Sequence, residues 1–433
     1  MTRLTQHWRF LLFGFLLCWG TFPGQTFFFS LFNRQIRAEF ELSHGDFGFF
    51  YLLATLASAL TLSALGGWID RLPLKRWSYA VIGLLLIAGL CFALAPNLLL
   101  FTLAIYLLRL SGQGLLSHTA MTSMARYFSG LRGRALAIAG LGYPVAESSL
   151  PFIVPLLLAA LDWRDAWLWL LGGVALVLLP AVQLLLGGAR TFGELAASGG
   201  QSGGQSDDQP GDRASDATGE PAPPAAAGMS RGQMLRSGTF WLLAPMVVTP
   251  SFLITGWFFH HQHVAAEYAW PLADFALAFS AYALAAVTFN LICGALTDRC
   301  GARRLLWLPL LPLAACNLPL LAPAFSAQAA PPLWAGWLSF FLMGVNNGAV
   351  GTVIGAVWAE LFGIRHLGSI KALAAALMVF GSALAPFAMG TLFDAGASVA
   401  AVAAAGLALC GLGVVCGAVL SLRARRPAPF EGG

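Results

Sequence analysis

The sequence predicts an all-α membrane protein with twelve transmembrane helices in two six-helix bundles. Three observations predict it. Hydrophobic residues make up 58% of the chain and charged residues 10%, with a mean hydropathy of +0.75. A soluble domain carries about 25% charge, so this much apolar surface needs lipid as its solvent. Apolar runs of about 20 residues recur, each long enough as a helix to cross about 30 Å of hydrocarbon. One charged motif also occurs twice, as Gly66-Gly67-Trp68-Ile69-Asp70-Arg71-Leu72-Pro73-Leu74-Lys75-Arg76 and as Gly294-Ala295-Leu296-Thr297-Asp298-Arg299-Cys300-Gly301-Ala302-Arg303-Arg304. The copies lie 228 positions apart (298 − 70), which implies two halves built to one plan.

In chain order, the first half (1–189) has apolar spans at about 10–33, 46–68, 77–95, 98–121, 135–160 and 166–187. The first run is too long for a signal-peptide core and no small-residue cleavage site follows, so it is expected to remain as a span. Residues 190–237 are rich in Gly, Ser, Gln, Asp, Pro and Ala and have almost no large apolar side chains. Such a stretch cannot build a core and is expected to be a disordered cytoplasmic linker. The second half (238–422) has spans at about 238–262, 273–296, 305–324, 333–360, 368–392 and 398–422, followed by a tail, 423–433.

Basic residues set the orientation. The turns on the side of the two charged motifs and the linker hold nineteen Lys and Arg, and the opposite side holds only Arg34, Arg37 and Arg164. Under the positive-inside rule both termini are cytoplasmic. The seven cysteines show no metal-ligand or disulfide spacing, so they read as packing residues. No metal or other cofactor is expected, and no nucleic acid as partner. The expected partners are the bilayer, a small-molecule substrate and protons, with the protein a monomer.

Two six-span halves joined by a cytoplasmic linker, with this hairpin in each, resemble the major facilitator superfamily. That family carries a G-x-x-x-D-R-x-G-x-K/R pattern between helices 2 and 3 and a weaker copy between helices 8 and 9. Gly66, Asp70, Arg71, Lys75 and Arg76 match the first copy, with Pro73 where the family has glycine. Asp298, Arg299 and Arg303 match the second, which keeps that glycine as Gly301. The resemblance implies conformational gating by these residues, through charge interactions on the cytoplasmic side. Finer strings, Gly24-Gln25-Thr26-Phe27-Phe28, Phe259-His260-His261-Gln262-His263 and Glu360-Leu361-Phe362-Gly363, resemble bacterial monocarboxylate porters and oxalate–formate antiporters. They imply a small organic anion as cargo and the bacterial inner membrane as location.

Polar residues at mid-depth are functional candidates by default, because lipid makes them expensive. Arg109 lies roughly 16 Å into the fourth span, where its planar donor fork suits a carboxylate and where a purely structural role within the bundle fits equally well. Gln113 and Ser117 follow at helical spacing. Glu147 lies roughly 20 Å into the fifth span, a depth suited to taking up and releasing a proton. Gln25 sits beside Pro23 and Gly24 in the first span, and Pro250 holds nearly the equivalent place in the seventh. Interrupted helices at matching positions mark the substrate region of transporters. The expected substrate-binding set is therefore Gln25, Arg109, Gln113, His118, Asn290 and Asn346, with Glu147 and Arg109 coupling protons. His260, His261 and His263 cluster at the outer end of span seven, and adjacent helical histidines point apart, against a metal site. The rival function on this fold is efflux of apolar or drug-like compounds. A membrane-embedded enzyme would need clustered carboxylates or an activated nucleophile, and a transport-dead sensor an output domain.

Overall fold

The computed structural model describes residues 7–128, 131–186, 229, 231–321, 330–363 and 366–423. Eleven helices among them are long and apolar enough to cross a membrane. The first half comprises α1 (Trp8–Trp19), α2 (Thr26–Ser30), α3 (Asn33–Glu39), α4 (His44–Leu65), α5 (Leu74–Ala93), α6 (Leu98–Tyr127), α7 (Arg132–Leu158) and α8 (Trp163–Leu185). The second half comprises α9 (Arg231–Arg236), α10 (Gly238–Phe259), α11 (His261–Glu267), α12 (Leu272–Cys300), α13 (short helical turns over Ala302–Leu321), α14 (Leu333–Phe362), α15 (Leu367–Asp394) and α16 (Val399–Arg423).

The expected first span is not one helix. Pro23 has no amide proton to give, and the chain passes through a 3-10 turn, Phe22–Gly24, into an extended Gln25 with ψ 146°. The break is packed against α6, which itself loosens into a π-helix over Arg109–Leu116. There Gly24 meets Gly112 backbone to backbone. A methyl group on Gly24 would lie 3.0 Å from the Gly112 Cα and 2.8 Å from the Gln113 nitrogen, so only glycine allows this approach. Most of the expected linker lies outside the described residues. Its last part is ordered, contrary to expectation. Arg231–Arg236 is helical, and the Met229 amide donates to the Phe362 carbonyl at 2.9 Å, so α14 gives this stretch a neighbour to fold on. Of the expected tail, 424–433 lies outside the described residues.

Each half has its own aromatic core. Trp167 packs against Phe92 and Phe28 with ring centroids 4.1 and 5.0 Å apart. Phe258 stacks on Phe340 at 5.4 Å and meets Phe279 at 5.0 Å. Aromatic pairs of this kind contribute about 0.5–1.5 kcal/mol each beyond the area they bury.

The two charged hairpins share one face of the molecule, and they turn differently. The first runs as a 3-10 turn, Gly66–Asp70, into Arg71 and Pro73, all at negative φ, so proline fits there. The second bends at Gly301 with φ +80°, a conformation that favours glycine. Asp70 forms an ion pair with Arg126 at the end of α6. In the second half the Glu360 carboxylate accepts from the amides of Ala302 (2.9 Å) and Arg303 (3.1 Å).

On the far face the halves are sealed. Asn33 Nδ2 donates to the Phe259 carbonyl at 3.1 Å, and Gln262 Nε2 to the Leu31 carbonyl at 2.8 Å. Asp394 caps α4 from the other half, accepting from the amides of His44 (3.0 Å) and Gly45 (2.6 Å). Within the first half, Arg164 donates to Glu39 and to the carbonyls of Ala93 and Ala95, while Trp163 Nε1 holds the same carboxylate.

Candidate functional site

Between the halves lies a cavity of about 660 Å³. Leu136, Gly140 and Leu141 from the first turns of α7, and Asn290 and Leu291 from the last turns of α12, line it. These stretches are the hairpin-side ends of their helices, so the cavity lies toward the hairpin face and the sealed face closes its other end.

Its polar groups come from four elements. The break after α1 presents Thr21 and Gln25, α7 presents Tyr143 and Glu147, α12 presents Tyr282 and Asn290, and α14 presents Asn347. Gln25 Nε2 donates to Thr21 Oγ1 at 3.2 Å, which leaves its amide oxygen available to the cavity. Tyr143 is paired with Ser117 on α6, and Glu147 lies near enough to both tyrosines to interact electrostatically. Glu147 is the one acidic or basic side chain among the described lining residues.

Of the expected substrate set, the structure brings Gln25 and Asn290 to this cavity, together with Glu147. Four others lie elsewhere. Arg109 is buried inside the first half, where Nη1 donates to the Gly24 carbonyl at 3.0 Å and to Thr26 Oγ1 at 3.4 Å. Its guanidinium lies 5.0 Å from the centroid of the Tyr51 ring. Arg109 therefore holds the broken helix, supplying a donor to a carbonyl that the helix break left unpaired, and does not meet Glu147. Asn346 is fully buried and donates to the Pro309 carbonyl at 2.6 Å; its neighbour Asn347 faces the cavity. His118 approaches the Gly66 carbonyl at 3.2 Å and so ties α6 to the first hairpin. Gln113 is half-buried beside the same helix break and does not line the cavity. The sequence singled out neither Tyr143 nor Tyr282; of the paired amides Asn346 and Asn347 it favoured Asn346 for the cavity, where Asn347 stands. Tyr143 lies between Gly142 and Pro144, and Tyr282 between two alanines, settings too common in such runs to single either out.

Of the gating set, Gly66, Asp70 and Arg71 shape the first hairpin, Lys75 and Arg76 open α5, and Asp298, Arg299 and Arg303 flank the bend at Gly301. The three outer histidines do not converge on a metal, and no metal-binding group of His, Cys, Asp or Glu is present among the described residues.

A family model described as the Major Facilitator Superfamily matches residues 10–262 and 257–433. No curated protein sequence matches the chain. Among solved structures, a bacterial homolog to the human lysosomal transporter Spinster, crystallised in an inward-facing and unoccupied conformation, matches with a TM-score of 0.62. The two are 15% identical over 97% of this chain and 98% of that one, a likeness of fold.

Proposed function

The chain belongs to the Major Facilitator Superfamily and is a multi-pass membrane transporter working by alternating access, and from that premise we propose that its cargo is a neutral or cationic amphipathic compound. Protons would exchange at Glu147 as the halves rock. The observation that carries this reading is the lining of the central cavity, where one carboxylate stands among amides, phenols and apolar walls with no Lys, Arg or His among the described lining residues. A carboxylate attracts a cation across a few ångströms by about 1–4 kcal/mol at intermediate dielectric and repels an anion equally. The small-anion reading needed Arg109 at the cavity wall, and the guanidinium is committed to Gly24 and Tyr51 instead. Efflux of apolar or drug-like compounds thus has the better support. With the hairpin face cytoplasmic by the positive-inside rule, this conformation would load from the cytoplasm, and export would run against proton entry across a bacterial inner membrane.

The test is binding and then transport. Tetraphenylphosphonium should raise the melting temperature of the purified protein and benzoate should not, since a ligand of the folded state stabilises it. Glu147→Gln should weaken tetraphenylphosphonium binding by about tenfold and uncouple its movement in proteoliposomes from an imposed proton gradient. Stabilisation by benzoate that disappears in Arg109→Lys would restore the anion reading and overturn this one.

A further inference from the structure

A second cavity, of about 280 Å³, lies on the sealed side of the same α7–α12 seam. Pro151 and Pro155 of α7 and Ala276 and Phe279 of α12 form its apolar walls, and Gln35 and His261 add polar ones. Between the two cavities the seam is crossed by Ser280 Oγ, which donates to the Ser148 carbonyl at 3.2 Å. Glu147 lines one cavity and Pro151 the other, so they are separated along α7 by four residues (151 − 147), about one helical turn.

The polar atoms here are acceptors waiting for a donor. His261 is 2% exposed, and its Nδ1 lies 2.9 Å from the Phe258 carbonyl. A carbonyl can only accept, so Nδ1 carries the proton and Nε2 keeps its lone pair. Gln35 Oε1 is buried with no partner, a state that costs about 1–3 kcal/mol if left unrelieved. The neighbouring Gln262 is already satisfied at both ends, by the Arg34 amide (3.0 Å) and the Leu31 carbonyl (2.8 Å). Burial pushes the His261 imidazole down to about 4, which keeps it neutral at ordinary pH.

We propose that this far-side cavity is a second ligand site, one that takes a small, largely apolar molecule carrying one hydrogen-bond donor, such as an alcohol, phenol or amine. Apolar walls with one or two convergent polar groups are the usual make-up of such sites. The donor is received by His261 Nε2, with Gln35 Oε1 accepting once its amide turns from its buried place toward the cavity, and the apolar body lies against the α7 prolines and Phe279. The site stands on its own residues and does not depend on which cargo the central cavity takes.

The probe is 4-fluorobenzyl alcohol, followed by fluorine NMR on the full-length protein in lipid nanodiscs, with 4-fluorotoluene as the donor-free control. The alcohol should bind saturably and about tenfold more tightly than the toluene, the worth of one hydrogen bond to a buried acceptor. Gln35→Leu should narrow that preference, and Ala276→Phe, which fills the cavity, should abolish binding. Ala286→Phe, which fills part of the central cavity, should leave it intact. Equal affinity for the two probes overturns the proposal. So does binding that survives Ala276→Phe and is lost in Ala286→Phe, since the probe is then in the central cavity. Should Ala276→Phe fail to fold, Gln35→Leu decides, and an unchanged preference in that variant overturns it.

Discussion

Replacing Arg109 by Met should lower the melting temperature sharply, by the equivalent of about 2–4 kcal/mol. Two effects oppose each other. The substitution removes a cation from a buried place, which on its own stabilises, because the guanidinium has no carboxylate partner there among the described residues. It also leaves the Gly24 carbonyl without its donor at a helix break, strips the cation from the Tyr51 face and opens space. In lipid an orphaned backbone carbonyl is costly, which decides the sign. Arg109→Lys should recover only part of the loss, since an ammonium cannot reach Gly24 and lie flat on Tyr51 together. A rise in melting temperature for Arg109→Met would mean that the charge is a burden kept for another task, and would return Arg109 to the list of cargo-handling residues.

Acid on the far face should open the seal. His44, His260 and His263 sit together there, with ring centroids 4.6 Å (His44–His263) and 5.6 Å (His44–His260) apart. The groups that face them from the packed elements are Arg37 of α3, Glu267 of α11 and Asp394 of α15. Arg37 Nη1 donates to His44 Nε2 at 3.0 Å, and His260 Nε2 lies 3.0 Å from the Pro386 carbonyl. Burial pushes His260 down to about 3, and His263 is also lowered, chiefly by burial. In the opened state both regain water and titrate near 6.5. The sealed state therefore holds its full advantage above pH 6.5 and loses it as pH falls toward the lowered value. For His260 alone the ratio of open to sealed should rise about tenfold between pH 7.5 and 5.5. Spin labels at Ala38→Cys and Ala266→Cys, read by double electron–electron resonance, report the separation of α3 from α11. The longer distance should gain population in acid, and His260→Gln should flatten the response. A distance distribution indifferent to pH would show that these imidazoles do not govern the seal.

The fold was legible because hydropathy records depth directly. Eleven helices among the described residues are long and apolar enough to cross a membrane, one short of the twelve expected; the first run is broken at Pro23 and Gly24, and the ninth is a series of short turns over Ala302–Leu321. The site was legible only in part, because sequence gives a residue's depth without giving the direction it points. Arg109, Gln113 and Ser117 share a face at α-helical spacing, but Arg109–Leu116 is wound as a π-helix, which widens each turn and rotates the three apart. Arg109 ends inside the bundle and Ser117 against Tyr143. Asn346 and Asn347 differ by a single step, about 100° around the axis, and only the packing of α13 on α14 decides which one is buried. Glu147 and Gln25, polar groups at mid-depth, and Asn290, nearer the hairpin-side end of α12, do line the cavity.

Arg164, one of only three basic residues expected on the far side, joins α3, α5 and α8 through Glu39 and the carbonyls of Ala93 and Ala95. Three helices cross-braced at one corner cannot peel away singly. Any parting of the outer rim that keeps these bonds must therefore carry this corner of the first half as a block.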